Sequence, residues 1–208
     1  MEFSSFINNI NYIKTAEIGG LESQFRLAPK MRLKYNAEKI TANNPKKAAV
    51  LALFYPNRKG ETCFLLTQRA SYKGTHSAQI SFPGGKIEKS DKNLKETALR
   101  ETFEEVGIIK DKITVVREIT DVYIPPSNFL ATPFIAYTKE KPDFNTNHEV
   151  DHAFDVLLKD LLDDHNITSI NITTSYAKNI DVPCFKLNNY IVWGATAMIL
   201  NEIKELLK

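Results

Sequence analysis

The order of apolar patterns along these 208 residues predicts an α+β fold, with a mixed β-sheet held between helices. Three observations carry that expectation. Short apolar runs bounded by turn residues read as strands both before and after residues 94–106, a segment of helical period. A second helical pattern, over 195–207, closes the chain. Its 43% hydrophobic and 25% charged composition suits a globular domain with a sizeable core.

Residues 3–14 (FSSFINNINYIK) read as a short amphipathic helix, with Phe3, Phe6, Ile7 and Ile10 on one stripe. LESQFRLAPKMRLKY (21–35) reads as an irregular connection, followed by polar TANNPKK. Residues 1–45 are thus expected to form an N-terminal helix and extension, and residues 46–208 the main domain. Within that domain, 48–54 (AAVLALF) is a buried strand, 57–60 (NRKG) a hairpin turn and 61–69 (ETCFLLTQR) the returning strand. Residues 71–79 read as loop and 80–82 as a short strand. The helix at 94–106 is expected to stop at Gly107 and to seat Leu99, Phe103 and Val106 on the sheet, opposite its carboxylates. Strands follow at 113–122 and 132–138, then a polar loop containing NHEVDHAF. One or two helical turns come at 156–162, strands at 167–176 and 182–187, and an amphipathic helix at 195–207.

The formal charge of +2 gives no electrostatic reason to expect nucleic acid or a membrane surface as partner. No run approaches the ~18 apolar residues of a membrane span. The N-terminus lacks the basic start and apolar stretch of a signal peptide. Cys63 and Cys184 fit no metal-ligand spacing, and Cys63, in a predicted strand, reads as a reduced buried thiol. A cytoplasmic location is therefore expected.

Residues 84–108 (GGKIEKSDKNLKETALRETFEEVGI) carry the chemistry. Glu101, Glu104 and Glu105 are spaced to project together from one helix. Like charges so placed repel by roughly 0.2–0.5 kcal/mol per pair. A hard cation such as Mg²⁺ or Mn²⁺ would reverse that. The bland alternative is a solvated helix face, with Glu96 and Arg100 as an ordinary surface pair. The flanking Pro83-Gly84-Gly85 turn argues against it, because glycines let backbone approach a ligand closely.

The segment resembles the Nudix box, G-x5-E-x7-R-E-U-x-E-E-x-G-U, where U is a bulky apolar residue. Arg100, Glu101, Glu104, Glu105, Gly107 and Ile108 stand in register. Asp91 replaces the first Glu, eight residues rather than seven separate it from Arg100, and Thr102 takes a usually apolar position. The resemblance implies an α/β/α sandwich over residues 46–208 and divalent-metal-dependent hydrolysis of a nucleoside diphosphate linked to another moiety. It implies metal ligation by Glu101, Glu104, Glu105 and the Gly85 carbonyl, with Arg100 orienting Glu101. Glu101 is the implied general base. A loop acid serves in some family members, and Glu149, then Asp151, are the candidates here. His148 and His152 read as surface residues.

Upstream, residues 65–85 (LLTQRASYKGTHSAQISFPGG) are similar to the signature of the Nudix coenzyme A pyrophosphatases. Leu65, Leu66, Thr67, Arg69, Phe82, Pro83, Gly84 and Gly85 match; Ala70, Gly74 and Ala78 depart. The offset of Asp91 also occurs in that subfamily, and the likeness extends over about residues 25–205. It implies a small-molecule nucleotide-diphosphate substrate, coenzyme A or its thioesters, cut to 3′,5′-ADP and 4′-phosphopantetheine. Arg69, His76 and Gln79 would line the substrate entry, and Lys73 could stand in for the arginine missing at Gly74. ADP-ribose, a nucleotide sugar or a dinucleotide is the alternative substrate; a non-catalytic nucleotide-binding regulator is the alternative class. A homodimer is admitted by the sequence.

Overall fold

The computed structural model describes residues 1–70, 79–173 and 179–208. The chain opens with two short helices, α1 (Phe3–Asn8) and α2 (Ile10–Thr15), where one was expected. At Asn9 ψ opens to 0°, which breaks the helix, yet Phe6, Ile10 and Ile13 still present one buried stripe. Residues 21–35 are more regular than expected. Helix α3 (Gly20–Phe25) is followed by a 3-10 turn at Lys30–Arg32, and α4 (Ala37–Ala42) begins at Asn36, whose side chain caps it by accepting from the Lys39 N–H at 3.0 Å. Tertiary bonds hold α3: the Gly20 N–H and Gln24 Nε2 both donate to Glu202 near the C-terminus, at 3.1 and 2.9 Å.

The first sheet contains β1 (Lys46–Pro56), β2 (Thr62–Arg69), β3 (Ile80–Ser81) and β4 (Gly84–Lys86), before helix α5 (Leu94–Val106). It is completed by β5 (Thr114–Glu118), β6 (Val122–Ile124), β7 (Phe129–Tyr137) and β8 (Val150–Leu157). The order is β3-β2-β1-β7-β5, with β4 on β1, β6 on β7 and β8 on β2. Strands β1 and β7 are parallel and their other neighbours antiparallel, so the sheet is mixed, as the sequence predicts. Alternate residues of β1 bury on opposite faces. Ala49, Leu51, Leu53 and Tyr55 pack with Leu99 and Val106 of α5; Ala52 and Phe54 pack with Phe6 and Ile13 of the N-terminal helices. A strand buried on both faces explains the unbroken apolar run.

Past β8 come α6 (Leu158–Leu162), β9 (Ile167–Ile172), β10 (Ile180–Leu187), β11 (Tyr190–Trp193) and α7 (Gly194–Leu207). Strands β9, β10 and β11 form a separate antiparallel sheet. The layers make an α/β/α sandwich of α+β class.

Several elements differ from expectation. The strand expected over 113–122 divides into β5 and β6, with an irregularity between Val115 and Arg117. The expected polar loop at NHEVDHAF is mostly β8, paired with β2 from Cys63↔Leu157 to Arg69↔Val150. There Val150, Phe154 and Val156 bury while Asp151 and His152 stay exposed. Strand β11 was not expected; Asn188 and Asn189, at φ +49° and +66°, turn the chain back from β10. Helix α7 is buried almost all round rather than amphipathic, because α3 covers its outward side.

Candidate active site

The turn before β4 sets how closely helix and sheet approach. Gly84 and Gly85 pair with Val50 and Ala49 of β1. A Cβ on Gly84 would lie 2.7 Å from the Val50 Cα, and one on Gly85 would fall 2.5 Å from the Glu101 carboxyl carbon. At Gly84 only hydrogen fits against the backbone, and at Gly85 a side chain would push the Glu101 carboxylate from its place.

Helix α5 keeps the predicted bounds. The Asn93 side chain caps the Glu96 N–H at 3.0 Å, and Gly107 stops the helix at φ +76°. The face on the sheet differs from the expected one. Ala98, Leu99, Thr102 and Val106 are buried, whereas Phe103 is 51% exposed. Thr102 is tolerated inside because its hydroxyl donates to the Ala98 carbonyl at 2.7 Å.

Arg100 uses its whole donor fork. Nε and one terminal nitrogen grip both Asp91 oxygens at 3.0 Å, and that nitrogen also donates to the Lys86 carbonyl at 3.0 Å. The other terminal nitrogen donates to Glu101 and to Glu104, each at 3.0 Å. It therefore orients two carboxylates instead of pairing with Glu96. Asp91, which the sequence shows only as a motif offset, anchors it. Hydrogen bonding from Arg100 holds the Asp91 carboxyl down at about 2, and Thr97 Oγ1 and the Glu88 N–H reinforce it.

The three glutamates do not project as one group. Glu104 is 48% exposed, Glu101 17% and Glu105 5%. Glu105 turns toward the sheet and accepts from the Gly84 N–H at 3.1 Å. Burial pushes its carboxyl up to about 7, against the pull of that N–H and of Arg69 and with added repulsion from Glu101 and Glu149. Glu101 is likewise raised by burial, tempered by Arg100. Arg69, at the end of β2, reaches both Glu105 and Glu149 at 3.8 Å, and its buried Nε has no hydrogen-bond partner.

Among the described residues no three His, Cys, Asp or Glu groups are drawn into a ready ligand set. The donor chemistry nevertheless fits a hard divalent cation. Carboxylate oxygens crowd in one cleft, and burial together with the neighbouring Glu101 and Glu149 raises the Glu105 carboxyl, a cost that a divalent cation would offset. The cleft, of about 480 Å³, is bordered by Arg69, Gln79, Gly85, Arg100, Glu101, Glu104, Glu105 and Glu149. Eight residues scattered from 69 to 149 thus meet at one place. His76, with Lys73, Gly74 and Ala78, lies outside the described residues. Asp151 is exposed on β8 and the His152 ring stacks on Phe154, 5.8 Å between centroids. The cleft is also lined by Arg32, Ser127 and Trp193, which no motif marked. Trp193, the sole tryptophan, was the available signal.

A family model described as NUDIX domain matches residues 45–173. Nudix hydrolase 15, mitochondrial, of Arabidopsis thaliana is 33% identical over 163 residues, covering 75% of this chain and 56% of that protein. The uncharacterized Nudix hydrolase NudL of Yersinia pestis is 28% identical over 167 residues, 80% of this chain and 81% of that one. The chain spans about half the length of the Arabidopsis relatives it matches. In fold it is similar to the NUDIX domain of Shewanella oneidensis NrtR complexed with ADP ribose, with a TM-score of 0.54 at 14% identity over 85% of this chain and 96% of that one.

Proposed function

The chain belongs to the Nudix family, and from that premise we propose that it is a divalent-metal-dependent diphosphatase acting on coenzyme A or its thioesters. The observation that carries the reaction class is the meeting of Glu101, Glu104, Glu105, Glu149 and Arg69 in one cleft, with Arg100 clamped behind two of them. Mg²⁺ or Mn²⁺ would be held by the three box glutamates and the Gly85 carbonyl, where it would neutralise the diphosphate and acidify a water. Arg69, with an unbonded buried Nε, binds diphosphate oxygen. Glu101, raised by burial and steadied by Arg100, accepts the proton of the attacking water. Glu149, brought beside Arg69, is the second acceptor in reach.

Coenzyme A as substrate rests on the likeness of residues 65–85 to the coenzyme A pyrophosphatase signature. A second reading keeps the chemistry and takes ADP-ribose, a nucleotide sugar or a dinucleotide; Gly74 and Ala78, which depart from that signature, favour it. The retention of all three downstream box glutamates speaks against a regulator that only binds. No described helix is long and apolar enough to cross a membrane.

Glu105→Gln tests the site assignment. It is isosteric and removes a ligand charge, so turnover at saturating Mg²⁺ should fall by about a hundredfold or more, as losses of central catalytic groups do. Full turnover in the variant would overturn the assignment.

A further inference from the structure

Helix α5 ends on Glu105 and Val106, and the last carbonyls of a helix have no partner within it. The irregular segment 141–147, between β7 and β8, supplies the missing donors. The Asn145 N–H donates to the Val106 carbonyl at 3.0 Å and the Asn147 N–H to the Glu105 carbonyl at 3.2 Å. Gly107 permits this approach, since a Cβ there would lie 3.0 Å from the Asn145 Cβ. Asn147 then makes a second contact, with its side chain: Oδ1 accepts from the Glu149 N–H at 2.9 Å, closing a turn on the residue two positions on. The Ala70 N–H, next to Arg69, donates to the Glu149 carbonyl at 2.8 Å. Glu149 has a half-exposed side chain, so its place is set by these backbone bonds rather than by packing. Its carboxylate stands 3.8 Å from Arg69, the same separation at which Arg69 meets the Glu105 carboxylate. The contacts form a closed ring, from the Glu105 backbone through Asn147, Glu149 and Arg69 back to the Glu105 side chain.

We propose that Asn147 is a positioning residue: it holds Glu149 in register with Glu105, so that two carboxylates from separate segments bracket the Arg69 guanidinium and fix it for the substrate. An arginine side chain has many rotamers, and a single acid on one side would leave it free to swing. The ring supplies a second acid and ties it to the helix that bears the first. Asn147 suits this place because its backbone N–H and its side-chain oxygen serve different partners, the helix end and the turn. Loss of the side chain alone leaves the backbone bond to Glu105 intact and frees only Glu149. The inference rests on the diphosphatase reading for its kinetic arm only.

The test is a double-mutant cycle on the full chain with Asn147→Ala and Glu149→Gln, using coenzyme A or ADP-ribose, whichever the wild type cuts. Asn147→Ala should raise KM by about fivefold or more, the size of one net hydrogen bond, and change kcat by less than about twofold. In the Glu149→Gln background the same substitution should change KM by less than about twofold, because its target is already gone. Asn147→Ser keeps an oxygen for the Glu149 N–H and should lie between the wild type and the alanine variant. Thermal melts establish folding, and should Asn147→Ala fail to fold, Asn147→Ser carries the same cycle with a smaller shift. An equal KM increase in both backgrounds, or a loss confined to kcat, would overturn the proposal. A second arm needs no turnover and separates it from the diphosphatase reading. Amide hydrogen exchange of the ¹⁵N-labelled chain should quicken at Glu149 by about fivefold or more in Asn147→Ala, with the Gly84 amide unchanged. Exchange at Glu149 equal to wild type would overturn the proposal even if every variant were active, and a quickened Glu149 in a chain that cuts neither compound would refute the diphosphatase reading alone.

Discussion

Asp91 shows what one residue contributes to this site. Its carboxyl takes two bonds from Arg100, one from Thr97 and one from the Glu88 backbone, and so fixes the guanidinium that aims Glu101 and Glu104. The folded value of about 2 lies below the ordinary aspartate range. Its stabilising contribution is therefore complete above about pH 4 and is lost as pH falls from there toward about 2. Asp91→Asn should flatten the fall of the melting temperature across that window and lower kcat by freeing Arg100. An acid limb identical to wild type would show that Asp91 carries no such linkage. Sequence alone gave Asp91 as an offset in a motif; its role needed the loop's path, which brings position 91 back over the helix to reach Arg100.

At the scale of elements, α5 divides its faces in a way the apolar spacing misread. Leu99, Phe103 and Val106 share a helical stripe, yet the sheet takes Ala98, Leu99, Thr102 and Val106 and leaves Phe103 half in solvent. The helix is rotated so that Glu105 can turn inward to the Gly84 N–H. Leu99→Ala should therefore cost about 2–4 kcal/mol by urea unfolding, as buried leucines do. Phe103→Ala should cost about 0.5 kcal/mol or less. Similar costs for the two would restore the original stripe. The bounds of α5 were legible because Asn93 and Gly107 punctuate it. Strand β8 was not, since its exposed Asp151 and His152 mask the alternation of Val150, Phe154 and Val156. Helix α3 owes its form to Glu202, some 180 residues away in sequence, and no local pattern reports such a partner.

Across the whole molecule, the mixed sheet and the box residues of the cleft were readable because periodicity and a short motif are local. The contribution of Arg32 to the cleft was not, because that side chain reaches it through the packing of the N-terminal segment on α7. Glu202 is the hub of that packing. It is fully buried and accepts from Gly20, Gln24 and Thr120. Glu202→Ala would leave those donors unpaired at a cost of about 3 kcal/mol, or a fall in melting temperature near 10 °C. A change below about 2 °C would mean that the N-terminal segment is held by other contacts. With the segment held and the cleft intact, the enzyme's identity turns on which diphosphate is cut there. Incubation with coenzyme A and with ADP-ribose, each with Mg²⁺ or Mn²⁺, followed by mass-spectrometric identification of the products, is the direct measurement. The predicted result is 3′,5′-ADP and 4′-phosphopantetheine from coenzyme A; brisk cleavage of ADP-ribose with coenzyme A left whole would contradict it.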